Sequence, residues 1–148
     1  MQTNHIGPRA TKWIALLVFI PDVLYASGWF LMDVLARNSR WPRDWDFVDI
    51  YGFVATHSIW AEMVFFVGLA FKIAALVQII RSRLSAITFL AIAVVLHFVD
   101  WMLLTGNGYY SATLDGGLQI ASGIVALSCL VYLNLQGALT GRSLFPGR

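Results

Sequence analysis

His97 and Asp100 stand three positions apart in LHFVDWMLL (96–104), so on a helix an imidazole and a carboxyl share one face. Such a pair can accept, hold or relay a proton. Glu62 lies in the apolar run IWAEMVFFVGLAFK (59–72), where a charged side chain without a role is expensive. A carboxyl buried in such surroundings favours its neutral form, because desolvation penalises charge, and a neutral carboxyl can give up a proton. These residues therefore read as a general acid, Glu62, and a base or relay, His97, oriented by Asp100. Asp22, Asp33, His57 and Lys72 also interrupt apolar runs. Lys72 reads either as a side chain long enough to snorkel to the nearer interface or as the partner of a carboxylate. Tyr25, Trp29, Trp60 and Trp101 fall near the same levels. Aromatic walls around carboxyls suit an apolar ligand with a cationic or incipiently cationic centre.

The elements that must position these groups follow from composition. The chain is 59% hydrophobic and 12% charged, with a net charge of +2, and this excludes an ordinary soluble surface. No basic cluster suggests nucleic acid. A lone Cys129 gives neither an internal disulfide nor a metal framework. Four runs suffice to cross a bilayer as helices, at about 13–35, 50–79, 84–104 and 118–139. The first is too long for a signal-peptide core and reads as a retained span. No run alternates polar and apolar residues, so a β-barrel is excluded. The expected fold is all-α: a single integral, multi-pass four-helix bundle spanning residues 1–148.

Basic residues orient it. Arg9, Lys12, Arg81, Arg83, Arg142 and Arg148 fall on one side, and Arg37, Arg40 and Arg43 on the other, which places both termini in the cytoplasm. Trp41, Trp45, Tyr109 and Tyr110 then belong at the outer interface. The small residues of GGLQIASG (116–123) suit close helix contact. At about 1.5 Å of rise per residue, His57 and His97 sit roughly 10 Å below the outer edge. Asp33 and Asp100 lie shallower, and Asp22 and Glu62 deeper, at roughly 18–20 Å.

The stretches WFLMDVLA (29–36) and WAEMVFFVGLAFK (60–72) resemble the EXPERA superfamily, the emopamil-binding protein and sigma-2 receptor group. That resemblance implies a small helical membrane protein with cytosolic termini that binds sterols or amphipathic amines within the membrane. Asp33 and Glu62 would be the ligand's acidic partners. The sterol-isomerase members move a double bond with His and Glu. The short loop between the first two spans and the absence of a lysine-rich tail depart from the family's pattern, and His97 and Asp100 have no counterpart in it.

The leading expectation is an intramembrane pocket for a sterol- or isoprenoid-like molecule, extending to acid–base isomerisation or cyclisation. Glu62, His97 and Asp100 would do the chemistry, while Asp22, Asp33, His57, Tyr25, Trp29, Trp60 and Trp101 hold the ligand. No cofactor is required by this reading. A b-type haem or a divalent metal at His57 and His97 is a second reading. A non-catalytic subunit of a larger membrane complex, or a homodimer, is a third. A proton-coupled transporter using Glu62 and Asp22 as carriers is a fourth.

Overall fold

The computed structural model describes residues 7–42, 49–109 and 112–140, with only the backbone of Ala112 and Leu114. Arg43, Trp45, Tyr110, Arg142 and Arg148 lie outside the described residues. Helix α1 runs Pro8–Arg37 and begins with proline in its first turn, where a missing N–H leaves nothing unpaired. Pro21 lies inside it, removing one backbone bond. Helix α2 (Ile50–Thr56) is capped by Asp49, which accepts from the Gly52 amide at 2.9 Å. Helix α3 spans Ile59–Ile80, α4 spans Ser85–Leu104, and a π-helical segment at Ala112–Gly117 leads into α5 (Leu118–Leu135). The described residues form no β-strand.

The expected continuous span over 50–79 is two helices. His57 and Ser58 adopt extended backbone (ψ 126° and 147°), and Ser58 then caps α3 by accepting from the Ala61 amide at 3.2 Å. Hydrophobicity runs on through this point, but serine satisfies a free amide at a helix start and so permits a new beginning.

Helix α1 packs against α3 and α5, and α4 packs against the same two, which closes a four-helix ring. Four helical segments, Pro8–Arg37, Ile59–Ile80, Ser85–Leu104 and Asp115–Leu135, are long and apolar enough to cross a membrane. Trp13, Leu17, Leu24, Leu118 and Leu135 point outward into what would be lipid. At one end the ring is tied shut. The Lys12 ammonium donates to the Ile80 carbonyl (2.7 Å) and the Ser82 hydroxyl (2.8 Å), and the Thr140 amide donates to the Ser82 carbonyl (2.8 Å). Both ends of the described chain therefore meet the α3–α4 turn at the same end of the bundle.

The half nearer this end is dry. Leu16, Phe19, Val23, Ala75, Ile79, Leu90, Ala126 and Leu130 from all four long helices form one buried apolar cluster. Gly123 permits the α4–α5 approach, since a Cβ there would stand 2.6 Å from Cγ2 of Val94. At the other end a second cluster joins Ala36, Trp41, Ile50, Phe53, Ala61 and Leu104. Trp41 is thus buried under α2 rather than spread at an interface, with its carbonyl accepting from the Tyr51 hydroxyl at 2.8 Å.

Candidate functional site

Between the two apolar clusters the interior is polar. Lys72 from α3 is only 4% exposed, so it does not snorkel. Its ammonium donates to Oδ1 of Asp22 on α1 and to Oε1 of Gln119 on α5, each at 2.9 Å. The ion pair is the arrangement that burial demands, because an isolated ammonium in hydrocarbon would be far more costly. The Gln119 amide donates onward to the Asp115 carbonyl at 2.9 Å, and Nε2 of His97 lies 3.1 Å from the same carbonyl. The Asp115 carboxylate accepts from the Tyr25 hydroxyl. All four long spans meet in this network.

Asp115 and Gln119 were not among the residues expected to act. Asp115 falls in TGNGYYSATLDGG (105–117), which reads as a loop. The available signal is their spacing of four, which puts them on one helical face once the turn is helical. Gly116 makes that placement feasible, since a Cβ there would stand 2.0 Å from the Trp101 ring.

A second layer lies toward the end remote from the chain termini. The Arg37 guanidinium bridges Oδ2 of Asp33 (2.9 Å) and Oε2 of Glu62 (3.1 Å), tying α1 to α3. Glu62 is therefore not deep in a span. It sits in the first turn of α3 because the helix restarts at Ser58, and it is ion-paired. Asp100 differs. It is 3% exposed, and its Oδ1 has no hydrogen-bond partner among the described residues. His97 meets the Asp115 carbonyl rather than Asp100, so Asp100 is not its orienter through a hydrogen bond.

These groups line a cavity. Trp29, Asp33, Phe53, His57, Glu62, Phe65, Phe66, His97, Asp100 and Gln119 surround space for water-sized guests of about 30 Å³, or about 470 Å³ with the mouth included. A smaller chamber of about 10 Å³ lies between Lys72, His97 and Asp100, room for about one water. His57 faces the cavity with the Phe53 ring tilted against it, centroids 4.4 Å apart, and both its ring nitrogens are buried without a hydrogen-bond partner among the described residues. Burial pushes its imidazole below the ordinary 6.5, with Asp33 opposing and Arg37 assisting.

Of the expected ligand-holding residues, Asp33, His57 and Trp29 face this cavity. Asp22 and Tyr25 line a separate groove between α1 and α5. Trp60 is 68% exposed and turned away, because its neighbour Ala61 takes the inward position on α3. Trp101 packs on Gly116 and edges Phe98 at 5.7 Å. Both histidines face one cavity. Among the described residues no three His, Cys, Asp or Glu side chains are arranged to hold a metal. No family model, curated protein or solved structure matches the chain.

Proposed function

We propose that this four-helix membrane protein binds a small lipophilic molecule whose cationic or protonatable centre is received beside Asp100. The observation that carries this reading is the sealed, unpartnered Asp100 oxygen on the wall of a cavity. A buried carboxylate without a donor costs free energy, and a guest that supplies a charged donor relieves it. The surroundings favour positive charge. Asp22, Asp33, Glu62, Asp100 and Asp115 gather about the interior, against Lys72 and Arg37 alone among the described residues. Trp29, Phe53, Phe65 and Phe66 add aromatic walls that attract a cation.

The polar space is one-ended. Below the Asp22–Lys72 pair all four long helices meet through apolar side chains, a shape that suits a binding pocket better than a through-path for a solute. The sequence resemblance to the emopamil-binding group supports the same ligand chemistry, with Asp33 and Glu62 as acidic partners. With a sterol- or isoprenoid-like alkene as guest, proton transfer falls to His97 and Asp100. Glu62, held by Arg37, stabilises positive charge instead. The positive-inside pattern puts the end of the bundle that carries Lys12, Arg81 and Arg83 in the cytoplasm.

The test is equilibrium binding of a labelled long-chain tertiary amine to protein in lipid nanodiscs. Asp100→Asn should weaken binding roughly ten- to hundredfold, the worth of a charged hydrogen bond. Unchanged affinity in a folded Asp100→Asn protein would overturn the reading.

A further inference from the structure

The groove between α1 and α5 is separate from the cavity and much roomier, at about 430 Å³, within the span of roughly 300–1,000 Å³ usual for small-molecule sites. Its walls are Val18, Pro21 and Leu118, and its floor is Asp22, Tyr25, Gln119 and Ser122. It lies midway along α1, where only lipid can reach it in a membrane. An ordinary lipid-facing groove is apolar throughout, because hydrocarbon satisfies no polar group.

The floor has an unmet need. Asp22 is 6% exposed; Oδ1 takes the Lys72 ammonium, while Oδ2 is buried with no hydrogen-bond partner among the described residues. Ser122 lies within hydrogen-bonding reach of Asp22, but the one proton of its hydroxyl is taken by the Gln119 carbonyl at 2.8 Å, which leaves Oδ2 unmet. Lys72 already balances the charge of Asp22, so what Oδ2 lacks is a donor rather than a counter-ion. Gln119 complements it. An amide carries two N–H groups, and one of them donates to the Asp115 carbonyl. The other makes no hydrogen bond among the described residues. A group that both donates and accepts is a hydroxyl; an ammonium only donates, and an ionised carboxylate only accepts.

We propose that this groove binds a membrane-borne lipid alcohol, whose hydroxyl donates to Oδ2 of Asp22 and whose chain lies along Val18, Pro21 and Leu118. The groove shares Gln119 with the Asp100 cavity, but its acceptor is Asp22 and its reach is from lipid, so labelling here and amine binding at Asp100 can fail separately.

Photolabelling of the protein in phosphatidylcholine vesicles tests it. The probes are a long-chain fatty alcohol with a diazirine in its chain, the matching alkane and the matching fatty amine. The alcohol should label peptides containing Val18–Tyr25 and Leu118–Ser122 roughly fivefold more than the alkane, the worth of one net hydrogen bond. Unlabelled fatty alcohol should compete. Ser122→Leu, which fills the groove and leaves the Asp22–Lys72 pair intact, should abolish the excess, whereas Ser122→Ala should keep it. Equal labelling by alcohol and alkane overturns the proposal on the wild-type protein alone, whether or not the variant folds. Preferential labelling by the amine overturns the choice of a hydroxyl. Undiminished labelling of folded Ser122→Leu overturns the location.

Discussion

Nζ of Lys72 lies 2.9 Å from Oδ1 of Asp22, and their side chains are only 6% and 2% exposed, so α3 and α1 are joined by a charge pair sealed inside the bundle. Removing one partner of such a pair leaves a buried charge uncompensated and costs about 3–5 kcal/mol, whereas replacing both with apolar groups can be nearly neutral. Asp22→Leu and Lys72→Met should each sharply lower the thermal midpoint in detergent. The double variant should recover most of the loss. If Lys72→Met alone unfolds where the wild type does, the pair does not hold the bundle together.

Gly116 fits only because it has no side chain. An added Cβ would sit 2.0 Å from the Trp101 ring, and overpacking of this kind costs about 1–3 kcal/mol. Gly116→Ala should destabilise the protein, and adding Trp101→Leu should restore part of the loss. Gly28 is the control. It sits in α1 with nothing within 4 Å of an added Cβ, so Gly28→Ala should be neutral or stabilising by about 0.5–1 kcal/mol. Equal effects of the two alanines in a melting experiment would refute the packing account.

His57 gives the protein a pH dependence of known sign. Its imidazole in the folded state lies below 6.5, so the unfolded chain binds more protons as pH falls under that value. The contribution is fully present above pH 6.5 and is lost as pH falls toward the lowered value. His57→Phe should flatten the fall in thermal midpoint below pH 6.5 and change little at pH 8. A slope identical to that of the wild type would show that His57 is not the group responsible.

Arg37 competes with any cationic ligand for Asp33 and Glu62. Its side chain is 36% exposed, but that of Asp33 is only 6% exposed, so losing the ion pairs leaves a buried carboxylate uncompensated and should lower stability. Freed carboxylates should then draw a cation more strongly. Arg37→Gln is expected to tighten binding of the tertiary amine probe a few-fold and to lower the melting temperature, with bound amine restoring part of the loss. Weaker binding would mean that Arg37 itself meets the ligand.

What the sequence determined by itself is the part written in local chemistry. Long apolar runs dictated four helical segments long and apolar enough to cross a membrane, and the scarcity of charge agrees with that setting. The mid-span placement of His97 and Asp22 marked them as interior groups, and both are buried. Their depth follows from helix rise alone, which needs no knowledge of neighbours.

The tertiary structure decided who pairs with whom. Glu62 looked deep because an unbroken run was counted from residue 50, and the restart at Ser58 moved it to a helix start beside Arg37. For Lys72 the sequence leaves snorkelling and pairing with a carboxylate both open, because nothing nearby in its own helix answers its charge. The answer comes from Asp22, fifty positions earlier, and Gln119, forty-seven later. Asp115 looked like a loop residue until a π-helical turn aimed it inward against Tyr25. Periodicity reports which face a residue occupies, while a buried charge is settled by whatever the opposing helix presents, and that is fixed only when the ring of helices closes.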